Sequence, residues 1–223
     1  MPHRGSVEQP PAEGPELLVQ ACRSQGVRDE RVLEAFRRVR REDFVPPELV
    51  AEAYRDRPVP IPHRQVTTQP SLIAHMVAAL RLRGDERVLE VGTGLGFQTA
   101  IVATLAFQVF SIERFPDLAA RARTNLRRAS IKNAVVVVGD GTLGLPEAAP
   151  FTAIVISAAA PRVPHPLVQQ LASGGRVSHP VGPGGDEVVT TYRKEGDRLV
   201  PEAPVIPAHF VRLVGAYGLH DDR

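Results

Sequence analysis

Three glycines, Gly92, Gly94 and Gly96, follow the apolar run Val88-Leu89-Glu90-Val91 and precede a second apolar segment. A strand that passes into a helix through such a loop suits a nucleotide-like ligand, because glycine permits a tight turn and a close approach to the backbone. The spacing separates one ligand from another. A dinucleotide loop reads G-x-G-x-x-G, and counted from Gly92 its third glycine would fall at position 97, which is Phe97. Here the third glycine is Gly96, and Glu90 stands two residues before the first. A carboxylate there repels a pyrophosphate and attracts a ligand bearing an ammonium and a sulfonium. Glu90 with Gly92, Thr93, Gly94 and Gly96 therefore predicts S-adenosylmethionine as the cofactor.

Two more acids extend the pattern. Glu113 closes the next apolar run, 17 residues after Gly96, where a carboxylate can accept both ribose hydroxyls. Asp140-Gly141 follows the third run, where an aspartate can meet the adenine amino group. Either acid alone is commonly a solvated cap. At the ends of successive strands, all three form a constellation that idle loops would have to explain as coincidence.

The elements that must position these groups alternate. Strands are expected at 87–91, 109–112, 135–138, 151–156, 176–180, 188–193 and 210–214, with helices at 96–106, 116–129 and 166–171 between them. That alternation predicts an α/β fold: a doubly wound, mostly parallel, Rossmann-like sheet covered on both faces. Ahead of it, Leu17, Leu18 and Ala21 suggest a short helix, and Asp29 can cap a second with Val32, Leu33, Ala35, Phe36 and Val39 on one face. Residues 54–69 carry Pro58, Pro60 and Pro62 without a clean period and read as an ordered, exposed loop. Pro70 then opens a helix with Leu72, Ile73, Met76, Val77 and Leu80 facing inward.

Bulk composition narrows the partners. With 223 residues, 43% of them hydrophobic, the chain can build one α/β domain with an extension. A net charge of +2 is too weak a bias to indicate nucleic acid. Cys22 is the only cysteine, which excludes an intrachain disulfide and a thiolate metal cluster, and the histidines are too dispersed for a metal site. Without an apolar run that could cross a membrane or serve as a signal peptide, a cytoplasmic protein is expected, and a monomer.

In its longer segments the chain resembles the protein-L-isoaspartate O-methyltransferase family. The resemblance runs from about Val32 to Gly215 and rests on Phe44-Val45-Pro46, Gln65-Val66-Thr67-Thr68-Gln69-Pro70, Val88 to Gln98, Ser111-Ile112-Glu113, Gly139-Asp140-Gly141, Ala158-Ala159-Ala160-Pro161 and Gly174-Gly175-Arg176. It implies methyl esterification of the α-carboxylate of L-isoaspartyl residues in damaged proteins and peptides, a repair reaction. It also implies that Thr68, where the family usually has serine, lies beside methyl donor and acceptor. Gln65, Val66, Thr67, Ala158, Ala159 and Pro161 would line the substrate, and Val214 would close over it. On this reading residues 1–15 are a disordered tail, 16–69 a helical and substrate-loop extension, and 70–223 the methyltransferase domain. Pro62, Arg64, Val66 and Ser71 depart from the family pattern, and they cluster in the substrate loop.

The chemistry asks little of acid–base groups. A carboxylate with a pKa of about 3.9 is already ionised at neutral pH, so no general base is required. Catalysis must come from orientation, which supplies roughly 7–11 kcal/mol in well-aligned systems, and from excluding water around a weak nucleophile. Thr68 could hold one carboxylate oxygen while the other attacks. Thr67 and Thr68 could instead cap the helix at Pro70. His63 is read as structural or substrate-contacting, and Arg64 as an attractor of anionic peptides or an exposed residue. Two other functions stay open: a carboxyl methyltransferase for ordinary aspartate, and a non-catalytic module that binds damaged polypeptides.

Overall fold

The computed structural model describes residues 14–183 and 185–220. Most of the expected N-terminal tail lies outside them, and Pro15 already begins a helix. The helices are α1 (Pro15–Ser24), α2 (Glu30–Arg38), α3 (Pro70–Leu80), α4 (Phe97–Ala103), α5 (Pro116–Arg128) and α6 (His165–Gln170). The strands are β1 (Val59–Ile61), β2 (Gln65–Thr67), β3 (Arg87–Val91), β4 (Gln108–Glu113), β5 (Ala134–Val138), β6 (Phe151–Ile156), β7 (Leu171–Val181), β8 (Glu187–Glu195) and β9 (Arg198–Ala208).

The main sheet has seven strands in the order β5-β4-β3-β6-β7-β8-β9. Pairing is parallel from β5 to β7 and antiparallel from β7 to β9. Val88, Leu89 and Val91 of β3 and Ala153 to Ile156 of β6 are all buried, as expected of strands covered on both faces. From β3 the chain builds outward through β4 and β5 on one side, then returns to lay β6 on the other. The connections leaving β3 and β6 thus diverge, and a crevice opens at the carboxyl ends of these strands.

On one face of the sheet, Leu18, Cys22, Phe36 and Phe44 share a single apolar cluster with Ile73, Met76, Phe97 and Ile101. The extension is thereby fused to the wall of the domain. Asp29 caps α2, accepting from the N–H groups of Arg31 and Val32. Burial pushes the Cys22 thiol up to about 12, so it is protonated and unreactive at neutral pH.

Three expectations required correction. Residues 54–69 do not form an exposed loop: β1 and β2 pair antiparallel as a hairpin, Val59 opposite Thr67 and Ile61 opposite Gln65, with Val59, Ile61 and Thr67 buried. Strands of three residues are too short to show a period, and the turn is made by His63 and Arg64 at φ 61° and 56°. The segment 210–214 is not a sheet strand. Instead β9 fills the edge, its Pro201 and Pro207 tolerated where the outer N–H groups need no partner. Residues beyond it make single bridges, Ala159 to Arg212 and Val214 to Leu219. Finally, α4 ends at Ala103, three residues before the expected Ala106.

Candidate active site

The crevice is a cleft bordered by the carboxyl ends of β3, β4 and β6 and by the β1–β2 hairpin, with the mixed apolar and polar lining of a small-molecule site. Its floor is the loop after β3: Gly92, Thr93 and Gly94 border it, and Gly92, Gly94 and Gly96 adopt φ of 95°, 56° and 95°. A side chain other than glycine is strained at φ near 95°, which is why Gly92 and Gly96 are glycine. Gly96 itself packs against Leu126 and Ala122 below the floor. Thr93 Oγ1 hydrogen-bonds Ser111 Oγ at 2.5 Å, pinning the loop to β4.

Glu113 borders the cleft from the end of β4. Its two oxygens accept from the N–H groups of Gly94 at 2.8 Å and Phe115 at 3.1 Å. A carboxylate has about four acceptor sites, so capacity remains for a diol. Burial lifts its pKa above the ordinary carboxylate value, against the pull of these backbone bonds.

Asp140 faces a second concavity with Val138, Leu143 and Tyr217, and Ile112 borders both spaces. Its Oδ1 accepts from Thr142 N and Oγ1, and its Oδ2 from Ala216 N at 2.7 Å. Burial works to raise its pKa, but these donors outweigh it and hold the group below its ordinary value. Asp140 therefore also tethers the C-terminal segment. A Cβ on Gly215 would stand 2.1 Å from Asp140 Oδ1, so only glycine allows this approach. Gly141 and Val214 border the main cleft beside it.

Glu90 lies elsewhere than its sequence position suggests. It is fully buried, and its oxygens accept from Gln98 Nε2 at 3.0 Å and from the hydroxyls of Thr99 and Ser111 at 2.5 Å. It does not border the cleft, whereas Gln98 does.

Burial pushes Glu90 up to about 7 from an ordinary 4.5, against its three hydrogen bonds. Between those values the folded protein keeps a proton that the unfolded chain has lost, so stability falls as pH rises through the interval. The full effect is about 3 kcal/mol. A cation in the cleft favours the ionised form, so cofactor affinity rises over the same interval. We expect Glu90→Gln to flatten both trends, measured by melting and by calorimetric titration of S-adenosylhomocysteine at about pH 5.5 and 7.5. Parallel profiles in the two proteins would refute this.

Another wall is the β1–β2 hairpin and the residue after it: Ile61, Gln65, Val66, Thr67 and Thr68. Arg41, fully buried, organises it. Its guanidinium donates to the carbonyls of Ala53 at 3.1 Å, Arg55 at 2.9 Å and Arg57 at 3.0 Å, and to Thr67 Oγ1 at 2.9 Å. Thr67 Oγ1 also accepts from Val59 N. The hydroxyl of Thr67 is thus turned toward the protein. Thr68 borders the cleft, and it does not cap α3: the N-cap is Gln69, and Asp56 accepts from Ser71 N at 2.8 Å in the capping role.

At the hairpin tip His63 stacks on Phe115, 4.2 Å between centroids and 3° from parallel, with Nε2 2.8 Å from Asp117 Oδ1. It joins the hairpin to α5. From the end of β6, Ser157 and Ala158 complete the cleft. Ala159 is buried, bonding Val211 O and Leu213 N through its backbone, and Pro161 is exposed away from the cleft.

Of the residues expected from sequence, the cleft brings together Gln65, Val66, Thr67, Thr68, Gly92, Thr93, Gly94, Glu113, Gly141, Ala158 and Val214. Glu90, Gly96 and Ala159 support it from behind, and Asp140 adjoins it. Sequence reasoning missed Arg41, Asp56 and Ser157, and gave Gln98 no role. Only the position of Gln98, just past the third glycine, offered a signal.

Residues 13–218 match the family model described as Protein-L-isoaspartate(D-aspartate) O-methyltransferase (PCMT). A protein-L-isoaspartate O-methyltransferase of Methanoculleus marisnigri is 46% identical over 207 residues, 92% of this chain and 93% of that one. Another, from Marinobacter nauticus, is 50% identical over 195 residues, 87% and 89% of the two chains. A solved protein-L-isoaspartate O-methyltransferase superposes with a TM-score of 0.80 at 26% identity, over 92% of this chain and 67% of that one. A Plasmodium falciparum structure, solved in complex with S-adenosyl-L-homocysteine, shares the fold with a TM-score of 0.76 at 22% identity over 91% and 99% of the chains. A strand-to-helix glycine loop, acids at successive strand ends and a match across nearly the whole length lead to one family, and the chain belongs to the protein-L-isoaspartate(D-aspartate) O-methyltransferases.

Proposed function

We propose that this cleft methyl-esterifies the α-carboxylate of L-isoaspartyl residues in damaged proteins and peptides, with S-adenosylmethionine as donor and Thr68 holding the acceptor. Family membership carries the activity and its cofactor. One observation carries the roles within the chain. The loop of Gly92 to Gly94, with Glu113, and the segment Gln65 to Thr68 border the same cleft, so donor and acceptor can meet within it.

S-adenosylmethionine supplies an electrophilic methyl on a sulfonium. Glu113 and the loop backbone hold the nucleoside end, and Asp140 orders the Gly141 turn and the segment at Gly215 beside it. The Thr68 hydroxyl donates to one oxygen of the incoming carboxylate and leaves the other free to attack. Ile61, Leu95, Ile73 and Leu213 line the cleft with apolar surface and keep it dry. The pair loses charge as carboxylate meets sulfonium, so this surface favours the transition state over the hydrated reactants.

The enzyme is read as a cytoplasmic monomer acting on polypeptide and not on nucleic acid. A net charge of +2 supports the last point. No helix among the described residues is long and apolar enough to cross a membrane.

The test is a side-by-side assay of matched isoaspartyl and aspartyl peptides with labelled S-adenosylmethionine, followed by methanol release from the ester. Methylation of the isoaspartyl peptide alone is expected. Preference for the aspartyl peptide, or cofactor binding without transfer to either, would overturn the reading.

A further inference from the structure

Glu90 is sealed beneath the glycine loop, yet one of its partners reaches the cleft. Gln98 is 6% exposed and borders the cavity. Both protons of its amide nitrogen are committed, one to Glu90 Oε1 at 3.0 Å and one to Ser157 Oγ at 2.8 Å. Those bonds fix the amide's orientation. With Glu90 ionised, the state a cation in the cleft favours, turning it over would set its oxygen against a carboxylate that only accepts. The remaining atom, Gln98 Oε1, is buried without a hydrogen-bond partner in the protein. A buried acceptor left unmade is costly, and native sites seldom keep one without reason. The site is one donor short.

The cofactor offers few donors to match. Its sulfonium has none, its ribose hydroxyls are assigned to Glu113, and its adenine amino group is assigned to Asp140. Its amino-acid end carries an ammonium with three N–H groups and no acceptor.

We infer that Gln98 is a specificity-determining binding residue that accepts the α-ammonium of S-adenosylmethionine at Oε1, with Glu90 behind it. This inference rests on the cofactor reading above. A carboxylate on the nitrogen side of an amide polarises it and adds negative charge to its oxygen. The attraction that the sequence assigns to Glu90 thus reaches the ligand one side chain further on. Ser157 Oγ completes the arrangement by holding the second amide proton.

The experiment is calorimetric titration of the full chain with three probes. They are S-adenosylhomocysteine, its analogue with the α-amino group replaced by hydrogen, and 5′-methylthioadenosine, which lacks the amino-acid end. In the wild type, loss of the amino group should weaken binding roughly 10–100-fold, the range for a hydrogen bond to a charged group. In Gln98→Met, S-adenosylhomocysteine should weaken by a similar factor, while the analogue and 5′-methylthioadenosine bind as to the wild type. Should Gln98→Met fail to fold, Ser157→Ala leaves the glutamine in place and frees one amide proton, and discrimination for the amino group should fall several-fold there. Equal weakening of all three probes in the variant would reduce Gln98 to a support for Glu90 and overturn the inference. So would a wild type indifferent to the amino group. A wild type that binds none of the probes would overturn the cofactor reading itself.

Discussion

Arg41→Met should lower the stability of the folded chain by about 3–5 kcal/mol, because four hydrogen bonds worth roughly 1 kcal/mol each are lost. In a chain of this size that is a fall of roughly 6–20 °C in melting temperature. The substitution keeps volume and removes every donor. The carbonyls of Ala53, Arg55 and Arg57 then lose their shared partner, and Thr67 Oγ1 keeps only the N–H of Val59. Relief from burying the charge offsets part of the loss: burial lowers the guanidinium to about 10, with only a Coulombic pull from Asp56 in its favour. At neutral pH it remains a cation, packed 5.6 Å from the centroid of Phe97. Arg41→Lys should fall between, since one ammonium has three donors in the wrong geometry. The hairpin is the element Arg41 organises, so surviving activity should show a raised KM for peptide, with affinity for S-adenosylhomocysteine less affected. Denaturant midpoints of the three proteins check the order, and a Met variant within two degrees of the wild type would remove Arg41 from this role.

Thr68→Ala should lower kcat about 10–100-fold, with the affinity for S-adenosylhomocysteine within about twofold of the wild type and the melting temperature unchanged. The estimate follows from losing one hydrogen bond that orients a reacting oxygen. Its strength comes from what the structure removes: the helix at Pro70 is capped through Asp56, so a capping role no longer competes with the catalytic one. Thr68→Ser should recover most of the rate, because it keeps the hydroxyl. Single-turnover and binding measurements separate the two effects. A drop in melting temperature that matches the loss of rate would return Thr68 to a structural role.

The sequence by itself determined the parallel half of the sheet, the glycine loop and the acids at the strand ends. These are local matters. A strand buried on both faces must be apolar along its length, as Val88 to Val91 and Phe151 to Ile156 are apart from Glu90 and Thr152, and backbone at φ near 95°, as at Gly92 and Gly96, favours glycine. The family segments were legible for the same reason, as short strings with fixed spacing.

Tertiary structure alone decided which side chains face the ligand. Glu90 and Gln98 are eight residues apart, and nothing in that spacing says that the carboxylate is sealed below while the amide borders the cleft. Arg41 meets Thr67 across 26 residues and Ala216 meets Asp140 across 76, so their partnerships follow from chain crossing and not from pattern. The hairpin and the proline-bearing edge strand were hidden because three residues show no period and because proline reads as a break until the edge position excuses its missing N–H. Burial and hydrogen-bond partnership are properties of the packed chain, and they are what turned a list of candidate residues into a cleft with two sides.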